Sequence, residues 1–153
     1  MAMGDEVSAL DPAVRGSIER FFAEEIPFNR FLGLRLVSLE RGVALLMLPF
    51  KPELVGDPFR PALHGGVIAA ALDTAGGAAV FSELALGDRV STVDIRVDYL
   101  RPGRLEDLYA EATIKRVGNR TGVTAIRAYH ASDPAQSVAE AMGVYNIRRE
   151  QDR

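Results

Sequence analysis

The sequence predicts an α+β domain in which an antiparallel sheet of about six strands lies against one long central helix, with an extra helix at the N-terminus. Three observations lead there. The stretch "HGGVIAAALDTAGGAAVF", His64–Phe81, is small or apolar almost throughout and carries one acid, Asp73. Runs with a period of two flank it on both sides, and they are separated by turn residues. The chain opens with a capped segment whose apolar residues recur at helical spacing.

Taken in order, residues 1–10 read as a flexible N-terminal arm, residues 11–148 as a single domain and residues 149–153 as a charged, solvated tail. Asp11 followed by Pro12 is a good helix start, and Val14, Ile18, Phe21, Phe22 and Ile26 keep the helical spacing until Pro27, which is expected to end it. Leu32, Leu34 and Leu36 then alternate with polar or small residues. A turn at Glu40–Gly42 leads to the apolar run Val43–Phe50, so the two runs read as a hairpin. Lys51–Leu63 holds Pro52, Pro58 and Pro61 and reads as a long ordered loop. The helix that follows is expected to run to about Leu86, with Gly87 as its stop. Four further strands are expected at Arg89–Leu100, Leu108–Val117, Val123–Ala131 and Ser137–Ile147.

The central helix is oily on every side, which calls for cover on every side. One sheet covers one side. A second subunit is the natural cover for the other, and a homo-oligomer is expected.

Composition narrows the function. A length of 153 residues with 48% apolar and 25% charged residues suits one folded domain. A net charge of −3 offers no field for nucleic acid. The absence of cysteine removes disulfides, thiolate nucleophiles and thiolate-bound metals, and it agrees with a reducing, cytoplasmic setting. The acidic start "MAMGDEVSALDPAVR" has no apolar core of the kind a signal peptide needs, and the oily segment is too interrupted to span a bilayer, so no membrane association is expected.

Chemistry concentrates in the oily segment. Gly65 and Gly66 open the helix and leave backbone N–H groups bare where the helix dipole is positive, a place to hold an oxyanion. Asp73 is the only formal charge between His64 and Ser82, and an acid among apolar groups gains basicity, which suits a general base or a nucleophile. The eight residues from Gly65 to Asp73 span roughly 12 Å of helix. One helix therefore cannot bring both groups to one carbon, whereas two helices packed antiparallel across a two-fold axis can. Simpler readings stand beside these. The glycines serve close helix–strand packing, Asp73 caps a break before Gly76 and Gly77 or pairs with an arginine, His64 is a structural hydrogen-bonder, and His130 belongs to the core or the surface. Two histidines without a carboxylate cluster give no metal site.

"LHGGVIAAALDTAGG" and "STVDIRVDYLRPG" (Ser91–Gly103) together resemble the hotdog-fold thioesterases of the PaaI-like, phenylacetate-pathway type, and the order of elements from Leu32 to Ile147 fits that family. The resemblance implies an acyl-CoA thioesterase, a hydrolase that releases a free acid and coenzyme A, with no cofactor beyond the coenzyme A of its substrate. It implies Gly65 as the oxyanion donor, Asp73 of the opposing subunit as base or nucleophile, and a strand hydroxyl, Ser91 or Thr92, to position water. It also implies a homodimer or a homotetramer built as a dimer of dimers. Where the family carries Asn in the loop before the glycines, this chain has Asp57 and Pro58, so Asp57 is the expected substitute. His64 and Gly66 stand beside it as substrate-binding positions. The phosphates of coenzyme A call for positive charge, and Arg101, Arg116 and Arg120, near Arg104 and Lys115, are the candidates, although hairpin arginines taken singly are ordinarily just solvated. The acyl pocket is expected between the central helix and the proline-rich loop. A hotdog module that binds acyl-CoA or an acyl carrier without turnover is the alternative, and a hotdog dehydratase or hydratase ranks after it.

Overall fold

Asp11 begins the ordered helical part of the chain. Its Oδ1 accepts from the N–H groups of Ala13 at 2.8 Å and Val14 at 3.3 Å and so caps α1, Pro12–Arg20, in a computed structural model that describes residues 9–152. Residues 1–8 of the expected arm and residue 153 of the tail lie outside the described residues. One π-helical turn, Phe21–Glu25, extends α1.

The N-terminal helix ends before Pro27 as expected, with Ile26 extended at ψ 109°, but Pro27 has a second part. It opens a second short helix, α2, Pro27–Leu32. Proline fits the first helical position because the N–H it lacks has no partner there. Gly33, at φ 74°, closes α2 in the left-handed conformation that glycine adopts without strain. The first strand consequently starts later than the leucine alternation suggests.

The strands are β1 Arg35–Glu40, β2 Val43–Leu48, β3 Val55–Asp57, β4 Ala62–Leu63, β5 Arg89–Tyr99, β6 Leu108–Val117, β7 Thr121–Tyr129 and β8 Ser137–Arg148. Six of them form one sheet in the order β1-β2-β6-β7-β8-β5. Every pairing in that sheet is antiparallel. β3 and β4 make a separate two-stranded ladder inside the proline-bearing loop.

The central helix, α3, spans Gly65–Phe81. Ile68, Leu72, Ala75 and Ala79 form its buried stripe, each at most 2% exposed, against side chains from β2, β6, β7 and β8. It ends short of Leu86 because Ser82 intervenes. The Ser82 hydroxyl donates to the Ala79 carbonyl at 2.7 Å and accepts from Gly42 N–H at 2.7 Å, which ties the helix end to the β1–β2 turn.

Within one chain, cover on every side is not achieved. Gly66, Ala69, Ala70, Asp73, Thr74, Gly77 and Phe81 form the opposite stripe, and all are exposed or half-buried. β5 is similarly open. Among the described residues it pairs with β8 along one edge and with no strand along the other.

The start of the expected charged tail is anchored. Arg149 pairs with the buried Asp88 at 3.0 Å and donates to the carbonyls of Asn119 and Gly118. Asp88 also accepts from the N–H groups of Glu150 and Ala85. The Glu150 N–H, more than the Arg149 guanidinium, holds the Asp88 carboxyl below its ordinary range, against the opposing effect of burial.

Candidate active site

The start of α3 resolves which glycine amide is open. His64 is the N-cap, and its Nδ1 accepts from Gly66 N–H at 2.8 Å. The Gly66 amide is therefore committed to the cap, and His64 takes the structural, hydrogen-bonding part. Among the described residues, nothing accepts from Gly65 N–H. The carbonyl of Gly65 accepts from the Tyr99 hydroxyl at 2.8 Å, and the Tyr99 ring covers the glycine so closely that a Cβ there would meet its carbons at 3.3 Å. The proline-rich loop packs against this same corner. A Cβ on Gly56 would lie 2.6 Å from the His64 Cα, a close approach that requires glycine.

Asp57 does not reach out of that loop. Its Oδ1 accepts from Phe59 N–H at 2.9 Å and Arg60 N–H at 3.1 Å, which makes it the organiser of its own turn.

Two turns into α3, Asp73 is held from two strands. Thr92 of β5 donates its hydroxyl to Asp73 Oδ1 at 2.8 Å. Tyr145 of β8 donates its hydroxyl to the Asp73 main-chain carbonyl at 2.9 Å. Tyr145 is 1% exposed, and burial, followed by the nearby Asp73 charge, raises its phenol well above the usual value, so it remains a proton donor. The helix makes room for this ring. A Cβ on Gly76 would lie 2.0 Å from the Tyr145 hydroxyl oxygen, and one on Gly143 would lie 2.6 Å from the ring. Gly76 therefore does not mark a break that Asp73 caps.

Thr92 reaches Asp73 through an irregularity in β5. Thr92 pairs with Tyr145 and Asp94 with Val144, which leaves Val93 as an extra bulged residue. Before the bulge Thr92 shares the helix-facing side with Val90. After it Ile95, Val97 and Tyr99 take that side. Ser91 pairs with Asn146 and makes no hydrogen bond to Asp73.

Asp73 and Thr92, with Ser91 beside them, border a cavity of about 290 Å³ whose other walls are largely apolar and include Phe21, Phe22, Ile26, Gly77, Phe81 and Val90. No residue of the proline-rich loop, Lys51–Leu63, borders this cavity. That loop folds back on the start of α3, and the N-terminal helical segment covers its C-terminal half instead.

The arginines divide between the two ends of the helix. Arg101 donates to the Ser137 carbonyl at 2.6 Å, in the turn whose Gly103 touches Leu63 and Ile68 near the start of α3. Arg116 and Arg120 are exposed on the β6–β7 hairpin, beside Gly122, which touches Val80 near the helix end. A 17-residue helix separates the two groups by about 25 Å. His130 is buried and fully engaged: its Nε2 accepts from Arg104 N–H at 2.9 Å, so its Nδ1 carries the hydrogen that meets the Asp107 carbonyl at 2.8 Å. Among the described residues no His, Asp and Glu side chains converge to hold a metal ion. None of their helices is long and apolar enough to cross a membrane.

The structure thus joins Asp73 with Thr92, and His64 with Gly65 and Gly66, at two places on one helix. Tyr145, Tyr99 and the N-terminal phenylalanines are additions that composition and spacing did not single out. The glycine pair Gly76–Gly77 carried a trace of Tyr145, since glycine in a helix signals close approach of another group.

Comparison with known proteins agrees with this architecture. Residues 61–135 match the thioesterase superfamily. The medium/long-chain acyl-CoA thioesterase YigI of Escherichia coli K12 is 36% identical over 143 residues, covering 85% of this chain and 91% of that protein. A protein of Shewanella oneidensis related to the thioesterase superfamily superposes with a TM-score of 0.77 at 27% identity, over 89% of this chain and 98% of the other. The PaaI protein of the Escherichia coli phenylacetic acid degradation operon shares the fold, with a TM-score of 0.77 at 23% identity over 88% of this chain and 93% of its own. With its six-stranded sheet wrapped on one central helix, the chain is a hotdog-fold member of the thioesterase superfamily.

Proposed function

We propose that the protein hydrolyses acyl-CoA thioesters at a site composed by two subunits. The observation that carries this is the placement of two complementary groups on one helix: an uncommitted amide at Gly65, and a carboxylate at Asp73 oriented by Thr92 at the mouth of an apolar cavity. They are separated by roughly 12 Å of helix, so within one chain they serve different points in space.

A second copy removes that separation. Midway between residues 65 and 73 lies residue 69, and the stripe around it, Gly66, Ala69 and Ala70, is small and uncovered. Small side chains let two helix backbones approach closely. The open edge of β5, eleven residues long, offers a second copy a ladder to extend in the antiparallel sense. A two-fold axis near Ala69 sets Gly65 of each protomer beside the Asp73 carboxylate of its mate.

The chemistry then follows in balanced steps. Thr92 occupies one carboxylate oxygen of Asp73, and the other is free to take a proton from water or to attack. Addition to the thioester carbon moves an electron pair onto the carbonyl oxygen, and Gly65 N–H together with the positive end of α3 stabilises that charge. Collapse of the intermediate breaks the carbon–sulfur bond: in the base route the proton taken by Asp73 passes to the departing thiolate, and coenzyme A and the acid leave, whereas in the attack route the thiolate leaves an acyl-aspartyl anhydride that water then cleaves to the acid. Arg101 from one protomer and Arg116 and Arg120 from the other supply positive charge for the phosphates, a division that their placement at opposite helix ends favours.

Asp73→Asn tests the reading on a panel of acyl-CoA thioesters followed by free-thiol release. Loss of turnover by about two to four orders of magnitude, with an unchanged melting temperature, is the expected result. Undiminished hydrolysis by the variant overturns it. Incorporation of oxygen-18 into Asp73 during a single turnover in labelled water identifies attack by the carboxylate, with water opening the anhydride at the aspartyl carbon.

A further inference from the structure

We infer that the ring pair Phe21–Phe81 is the end wall of the acyl pocket and sets the length of chain that the enzyme accepts. This rests on the thioesterase reading and goes beyond it, because neither ring takes part in the chemistry.

Asp73, Gly77 and Phe81 lie at positions i, i+4 and i+8 on one face of α3. The first carries the carboxylate, the second leaves open space, and the third closes it. Phe21 comes from the π-helical turn of the N-terminal segment, a local irregularity of the kind found at functional sites. Its ring meets Phe81 at 5.5 Å between centroids, tilted by 45°. Phe22 stands edge-on to both, at 5.5 Å and 5.6 Å, and is 6% exposed, so it anchors the pair to the core.

What lies behind the pair makes it a partition. Beyond the cavity of about 290 Å³ beside Asp73 are two more, one of about 140 Å³ against Val14, Ile18 and Leu84, and one of about 610 Å³ reaching Asp88 and Arg89. Phe21 and Phe81 are the two residues that line all three. The eight residues from Asp73 to Phe81 span roughly 12 Å, and a zigzag of ~1.5 Å bonds advances a little over 1 Å per carbon, so the first cavity holds a chain on the order of ten carbons. Longer chains need the space behind the rings.

Two substitutions act in opposite senses. Phe21→Ala opens the partition from a half-buried position. Gly77→Ala narrows the path in front of it, and the added methyl fits, since it meets only the Tyr145 ring edge at 3.8 Å. Steady-state kcat/KM is measured for straight-chain acyl-CoAs from butyryl to stearoyl in both variants, the parent and Asp73→Asn. In Phe21→Ala the ratio of long-chain to short-chain kcat/KM should rise by about fourfold for each methylene newly buried. In Gly77→Ala the same ratio should fall. Parental chain-length profiles in both variants overturn the inference while leaving the hydrolase reading intact. Parental activity in Asp73→Asn overturns the role given to Asp73 instead, and a parent that hydrolyses none of the acyl-CoAs overturns the hydrolase reading. If Phe21→Ala fails to fold, the Gly77→Ala profile decides alone: a shift toward short chains supports the partition, and a parental profile sinks it.

Discussion

Gly65→Pro deletes one hydrogen-bond donor and little else, and combined with Asp73→Asn it tests whether two subunits share a site. Gly65 is the first residue of α3, the position that proline prefers, and His64 before it has ψ 130°, in the range that a following proline requires. The new Cβ meets Tyr99 ring carbons at 3.3 Å, so the ring shifts by a few tenths of an ångström and the helix start survives. The lost amide is the proposed oxyanion donor, whose removal costs about a hundredfold to a thousandfold in kcat. Each single variant alone should therefore be nearly inactive. In a heterodimer of the two, one site joins the intact Gly65 of the Asp73→Asn chain to the intact Asp73 of the Gly65→Pro chain, and the other site has neither group. Co-expression with two different affinity tags and sequential purification isolates that species. Its turnover per dimer should be about half that of the parent, because one of two equivalent sites is whole. A heterodimer no more active than its inactive parents refutes the shared site and places both groups at separate tasks.

Other outcomes are equally specific. Thr92→Val keeps the shape and removes the hydroxyl that donates to Asp73 at 2.8 Å, so kcat/KM should fall by about tenfold to a hundredfold, the worth of a hydrogen bond to a charged group, with little change in melting temperature. The two neighbouring glycines should part company in thermal unfolding. Gly76→Ala drives a methyl into the Tyr145 hydroxyl at 2.0 Å and should cost about 1–3 kcal/mol, whereas Gly77→Ala meets only an ordinary contact at 3.8 Å and should gain about 0.5–1 kcal/mol; equal effects contradict the packing described. Asp88, held below its ordinary value of 3.8 chiefly by Glu150 N–H and Arg149, contributes stability that is complete above that value and is lost as pH falls through its lower folded-state value. Asp88→Asn should therefore melt several degrees below the parent near neutrality, and the gap should close as pH falls below about 4; a gap that widens in acid contradicts the assignment.

Much of the fold was readable from spacing. The strand runs and the buried stripe of α3 follow from side-chain periods of two and 3.6, which burial against one core enforces. What the pattern hid came from local devices. The alternation in "STVDIRVDYL" places Thr92 with Asp94, Arg96 and Asp98, but the bulge at Val93 turns it to the helix side with Ile95 and Val97. Pro27 is the stop its position suggests and also the start of a second helix that spacing did not show, because proline is a breaker only inside a helix. Within the site, Gly65 and Asp73 stood out as departures from their surroundings. Tyr145 did not, since a tyrosine in a strand looks like any other core residue until the glycines opposite it are seen to be vacated for its ring. The lining from Phe21 and Phe81 was hidden because the residues lie sixty positions apart and meet only through the packing of the N-terminal segment on α3.

Thr92 belongs to one of the two edge strands of the sheet, and it grips the one acid of the central helix. Peripheral strands are the first to fray on warming, well before an interior melts. The acid's alignment is thus only as durable as an edge ribbon, and a neighbour that seals this rim would guard the reaction as well as the sheet. Under the proposed two-subunit site, assembly and competence rest on the same eleven residues, and a chain stripped of its mate should be disarmed while its interior still stands.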